Sequence, residues 1–174
     1  SIWDASGAEA SVRAVARGAR LYMTAQVELG HVGVMSLTSG GIAALAHSPQ
    51  LAQAWLPMPR SRRYDSRVLP AEQKSGALLG FGTTEKQSGS DLRSGSTRAD
   101  PSSDGTYRLT GHKWFVTAPM SDALLLLAQT LEGLSLFLVP RYMPDGKRNP
   151  FRLMRIKDKL GTRSTATGEI EFAG

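Results

Sequence analysis

Apolar residues recur at intervals of three and four over the first stretch of the chain: Val12, Val15, Ala16, Ala19, Tyr22, Met23 and Val27. That spacing gathers them on one helix face and predicts that the face is buried. Gly30 supplies a stop after Leu29. A second helix is predicted over 33–46, weakened by Gly40 and Gly41. Ser48-Pro49 then opens a short third helix that runs through Trp55. Pro57 and Pro59 break the pattern, and a basic, irregular connector, PRSRRYDSRVLP, follows from Pro59 to Pro70.

From Ser75 onward the periodicity changes. Strands are predicted over Gly76–Gly82, Thr106–Gly111, Lys113–Thr117, Asp122–Thr130, Leu134–Pro140 and Gly168–Phe172. Turn pairs separate them at Asp104-Gly105, Glu132-Gly133 and Asp145-Gly146. Short strands with frequent turns imply an antiparallel sandwich or barrel. Helices followed by strands make the fold class α+β, divided into residues 1–70 (helices plus connector) and 71–174 (the β part).

The chain has 174 residues, of which 41% are apolar, enough to form a soluble globular core. Its apolar runs are too short to span a bilayer as a helix, so no membrane partner is expected. Cysteine is absent, which excludes disulfides, thiolate metal sites and cysteine nucleophiles, and fits a cytoplasmic location. His31, His47 and His112 are too dispersed for a recognisable metal site. The opening residues, SIWDASGAEA, lack both Met and a signal-peptide pattern, and the chain reads as a fragment or a processed chain.

The net charge is +6, and its distribution matters more than its size. Residues 141–163 hold eight lysines and arginines against two aspartates, while the rest of the chain has 13 of each sign. Such a stretch reads as a solvated loop, a nucleic-acid contact or a contact for another anion.

Residues 80–94, GFGTTEKQSGSDLRS, carry the most chemistry. Small and hydroxyl residues after a strand let backbone N–H groups and hydroxyls approach an anionic ligand. The same composition also suits a plain surface turn. The loop is neither a P-loop nor a dinucleotide fingerprint, because the required Gly-Lys-Ser/Thr and G-x-G-x-x-G patterns are missing. Glu85 and Asp91 invite an acid–base reading as a carboxylate pair, but they stand six residues apart on a loop, so spacing does not fix their separation. His112 reads as a surface residue, and His31 and His47 as helix-end residues. Strand alternation puts Phe115 and Thr117 on one face, with one of Trp114 and Phe115 in the core.

This loop resembles the first signature of the acyl-CoA dehydrogenase superfamily. Gly82, Thr84, Glu85, Ser88, Gly89, Ser90, Asp91 and Ser94 satisfy the pattern, and Thr83 departs from it at an aliphatic position. TYRLTGHKWFVT and KDKLGTRSTATGEIEF are similar to later segments of the same family. RYDSRVLPAEQKSGALLGFGTTEKQSGSD and LSLFLVPRYMPDGKRNPFRL resemble the AidB branch, flavoproteins of the adaptive response to DNA alkylation.

The resemblance implies N-terminal helices followed by a middle antiparallel β-barrel, FAD as cofactor, and an oxidoreductase acting on an acyl-CoA-like small molecule. It implies FAD contacts at Thr84 (pyrimidine edge), Gly89 and Ser90 (pyrophosphate loop), Phe115 (against the isoalloxazine) and Thr117 (N5 and O4), and structural, loop-bracing roles for Glu85 and Asp91. The catalytic base belongs to a C-terminal helical domain that these residues do not match, so none of them is assigned a catalytic role. The resemblance also implies a homo-oligomer, expected as a homotetramer. The alternative function is a DNA-associated protection protein with mainly structural FAD, which would bind double-stranded DNA through regions mostly outside this chain.

Overall fold

A computed structural model describes residues 6–174. Three helices come first: α1 (Gly7–Ala25), α2 (Gly30–Leu45) and α3 (Pro49–Trp55). Seven strands follow: β1 (Leu79–Thr84), β2 (Arg98–Pro101), β3 (Tyr107–Thr117), β4 (Ala123–Thr130), β5 (Gly133–Pro140), β6 (Arg152–Ile156) and β7 (Thr167–Ala173). Ser48 caps α3 by accepting from the Leu51 amide, with Pro49 in the first turn, as the sequence predicts. Among the described residues no helix is long and apolar enough to cross a membrane.

The strands form one seven-stranded sheet in which β4 pairs with β1, β2 and β5, and β3 pairs with β1, β2 and β7. The pairings β1–β4, β4–β2, β2–β3 and β3–β1 return to their start, so the sheet wraps around its own interior. It is not wholly antiparallel: β4 runs parallel to β1 and to β2. Those strands are distant in sequence, so no hairpin fixes their relative direction.

β4 explains its own unbroken apolar run. Leu124, Leu126 and Ala128 face the cluster inside the sheet with Val116 and Ile170, while Ala123 and Leu125 face α2 with Ile42, Leu45 and Leu79. A strand buried on both faces has no polar side to alternate with. Gly41 lets α2 approach closely, since a Cβ there would lie 2.5 Å from Leu79 Cδ1. The Thr38 hydroxyl accepts from the Leu79 amide at 3.1 Å and ties the helix to β1.

Four further expectations change. The apolar stripe of α1 is not buried: no residue of the helix is, and Val12, Val15, Tyr22 and Met23 stand exposed, as does Val27 just beyond the helix. None of the other described elements covers that face. α1 ends at Ala25 and Gly30 begins α2, because the Glu28 carboxylate accepts from the Gly30 and His31 amides and opens a new helix where a stop is expected. The strands expected on either side of Gly111 are one strand of 11 residues, in which Gly111 takes φ +146° and passes within 2.7 Å, at its Cβ position, of the Thr97 Cα. Finally, β2 and β6 form where no strand is predicted. β6 lies within the basic segment and is exposed throughout, so it lacks the alternation that marks a strand.

Candidate functional site

A cleft of about 230 Å³ opens where α2, the end of β3 and the turn before β7 meet. Phe115 and Thr117 from β3 line it together, facing Gly33 of α2 and a set of threonines at 162, 165 and 167. The joint exposure of Phe115 and Thr117 agrees with strand alternation. A one-residue bulge precedes them: Lys113 pairs with Ile170 and Val116 with Gly168, so β3 spends three steps where β7 spends two. The bulge turns both Lys113 and Val116 inward and leaves Trp114 half-buried and Phe115 44% exposed. Neither aromatic is a fully buried core residue.

The threonine-rich turn is held from within. Lys159 Nζ donates to the Thr165 carbonyl and, at 2.9 Å, to Thr167 Oγ1. The Thr165 hydroxyl donates to the Gly30 carbonyl, and that of Thr162 to the Gly161 carbonyl. The Ser164 hydroxyl donates to Glu28 Oε1 at 2.7 Å. Amides of His31 and Gly30, with the Ser164 hydroxyl and the His31 ring, lower the Glu28 pKa from 4.5 to about 2. Helix and turn are thereby clasped across the cleft. Thr117 differs from the other three threonines: its hydroxyl has no partner among the described residues. Ala118 follows it with φ 56°, fully buried, a left-handed conformation that costs an alanine about 1 kcal/mol and ends the strand.

The other expected site residues lie beside this cleft rather than in its lining. Thr84 ends β1 opposite Phe115 in the β1–β3 register. Gly89 and Ser90 are exposed on the following loop, and a Cβ at Gly89 would meet only Thr84 Cγ2, at 3.9 Å. The chain itself therefore leaves the space above Gly89 empty, and a side chain there would fill it. The hydroxyls of Thr84 and Ser90 also lack partners among the described residues.

Glu85 braces this loop. Its carboxylate accepts from the Ser96 and Thr97 amides at 2.7 and 3.0 Å and pairs with Lys113 Nζ at 2.6 Å, with both side chains only 2% exposed. Burial alone would raise its pKa, but the Lys113 ammonium and the Thr97 and Ser96 donors outweigh it and hold the carboxyl far below its usual range. Burial lowers the Lys113 pKa, against the pull of Glu85. Asp91 accepts from the Arg93 amide and starts a short 3-10 turn. Both acids brace the loop, as the family resemblance implies. His112 is half-buried rather than on the surface, and burial with nearby Lys86 lowers its pKa. His31 pairs with Glu28.

A second, larger cavity of about 690 Å³ lies on the other side of the α2 N-terminus. Val34, Met35, Ile42 and Met120 give it an apolar wall, and Arg60, Arg62 and Arg63 of the connector stand at its edge. Sequence reasoning misses this cavity, because helix and connector meet only in three dimensions. It also gives no site role to Lys159 and the threonines of the turn before β7, although KDKLGTRSTAT shows a high density of hydroxyls after its one glycine, Gly161.

The family profile "Acyl-CoA dehydrogenase, middle domain" matches residues 80–174, and "Adaptive response protein AidB N-terminal domain" matches residues 1–66. AidB of Escherichia coli (strain K12) is 53% identical over 159 residues, which is 91% of this chain and 29% of that protein. The Caenorhabditis elegans ACDH-11 structure in complex with C11-CoA aligns with TM-score 0.67 and 31% identity, over 81% of this chain and 25% of that one. A glutaryl-CoA dehydrogenase from Mycobacterium smegmatis in complex with FADH2 aligns with TM-score 0.65 and 25% identity, over 84% and 34%. The chain thus spans less than a third of the length of the E. coli relative. With the middle-domain profile covering more than half of its residues, this chain belongs to the acyl-CoA dehydrogenase family.

Proposed function

We propose that this chain provides the flavin-facing wall of an FAD-dependent acyl-CoA dehydrogenase-like oxidoreductase of the AidB type. The observation that carries the reading is the pairing of a half-exposed aromatic ring, Phe115, with the unpartnered Thr117 hydroxyl in one cleft. The residues suit the cofactor. An exposed ring face can lie against a flat ring, and the hydroxyls at Thr84, Ser90 and Thr117 are donors with no partner among the described residues. The vacant space above Gly89 suits a close backbone approach to a pyrophosphate. The chemistry the cofactor would supply there is acceptance of a hydride from the β-carbon of an acyl substrate, the α-proton passing to a base outside these residues. Thr117 would orient the accepting edge, Thr84 the pyrimidine edge, and Phe115 would exclude water. In this reading residues 1–70 belong to a helical domain and 71–174 to the middle domain. The acyl group of a CoA thioester occupies the 690 Å³ apolar cavity.

The test is flavin binding by the full-length protein, followed by absorbance and fluorescence. Bound yellow chromophore, with affinity or spectrum altered by Thr117→Val, supports the assignment. Protein that carries no flavin and does not take up FAD overturns it.

A second reading, association with double-stranded DNA, is supported by the basic segment 141–163, whose Arg152, Arg155 and Arg163 are exposed. Binding through phosphates would weaken steeply between low and physiological salt. Binding that is absent or insensitive to salt removes this reading. Assembly as a homotetramer is supported by the uncovered apolar face of α1, and a cytoplasmic location by the absence of cysteine.

A further inference from the structure

Behind the aromatic pair lies a charge cluster that the proposed function does not use. Lys157 follows β6, and its side chain is only 9% exposed. Its Nζ sits 3.5 Å from the centre of the Trp114 ring and 4.5 Å from that of Phe115. Arg155 and Lys86 also approach Trp114, at 5.5 and 5.1 Å. One carboxylate serves the two cations of this strand: Glu169 Oε1 accepts from Lys157 Nζ at 2.8 Å and from Arg155 Nε at 2.5 Å. Two cations against one anion leave the cluster with a net positive charge. An ammonium so far out of water is weakly screened, and its field reaches across the Phe115 ring into the cleft.

We propose that Lys157 is a tuning residue for flavin reduction: its ammonium, held against Phe115 by Glu169, raises the electron affinity of a flavin bound in the cleft. This rests on the flavin reading above. The chemistry is electrostatic and requires no contact. A fixed cation near the cleft stabilises whichever redox state of a bound ring carries more negative charge, which is the reduced one. By linkage, the same cation tightens binding of reduced flavin relative to oxidised flavin. Glu169 opposes it, so the two residues act with opposite sign. Lys159 also lines the cleft but stays unchanged in every variant below, so its contribution cancels.

The experiment uses the full-length protein with FAD and measures the midpoint potential of the bound flavin by dye equilibration, alongside the affinity for oxidised FAD. Lys157→Gln should move the potential to more negative values, corresponding to about a tenfold fall in the preference for reduced over oxidised flavin. Glu169→Gln should move it the other way, and Lys157→Arg should hold it near the wild-type value. A merely structural role would shift Lys157→Gln and Glu169→Gln in the same direction or not at all, and either result overturns the proposal. Should Lys157→Gln fail to fold, Glu169→Gln decides alone: no positive shift overturns it. If the wild-type protein binds no flavin, the flavin reading falls and this inference with it. If flavin binds normally and the potentials do not move, only this inference falls.

Discussion

α1 and β4 both carry apolar side chains that call for cover, and they meet opposite fates. α1 carries a regular stripe at helical spacing and buries none of it. β4 carries an unbroken run of leucines and buries both its faces, one against the sheet interior and one against α2. The difference teaches that an apolar pattern specifies an element and the face that needs covering. It does not specify what covers that face. For β4 the covering partners are in the described residues, and for α1 they are not.

The largest effect that would test this comparison lies in the sheet. Lys113→Ala leaves the Glu85 carboxylate buried without its cation, and should cost about 3–5 kcal/mol in chemical denaturation. It should also release the 85–96 loop, detectable as lost amide protection at Ser96 and Thr97. An unchanged midpoint would mean that the pair does not hold the loop.

Truncating an apolar side chain on each element compares the two directly. Leu126→Ala removes a fully buried side chain on β4 and should cost about 2–5 kcal/mol. Val15→Ala, on a residue 73% exposed, should change stability by no more than about 0.5 kcal/mol. Equal costs would show that the α1 stripe is covered in solution, and the contrast drawn here would collapse.

The smallest effect concerns the clasp that joins the helices to the sheet. The Glu28 pKa is depressed in the folded state, so its stabilisation is fully present above its ordinary value of 4.5. It is lost as pH falls through about 2. Glu28→Gln should therefore be less stable than wild type at pH 6, and the gap should narrow between pH 4.5 and 2. Melting temperatures that differ by the same amount at both ends would place the Glu28 effect outside its ionisation.

Phe115 and Thr117, two of the residues that line the cleft, and the loop beside it were legible in the sequence for local reasons. Gly82, Thr84, Glu85, Gly89 and Ser90 lie close together, and the step of two from Phe115 to Thr117 fixes their shared face across a strand. The partners from the far end of the chain were not legible. Lys159 and Thr167 reach the cleft only because β7 pairs with β3, and Lys157 meets Trp114 only because a bulge turns the aromatics outward. The 690 Å³ cavity needs α2, the connector and the 164–165 turn at once. No local periodicity encodes such a meeting.

By itself the sequence determined the α+β class, the helices and most of the strands, and the family resemblance of the 80–94 loop. All of these are set by spacing, turn chemistry and short-range hydrogen bonding. Only the tertiary structure decided that β4 runs parallel to β1 and β2, that the basic segment includes an edge strand, and that the α1 stripe lies open. It also decided that one lysine stands against the aromatic wall of the cleft. These outcomes depend on which distant segments pack together, a balance of burial against chain entropy summed over the whole fold.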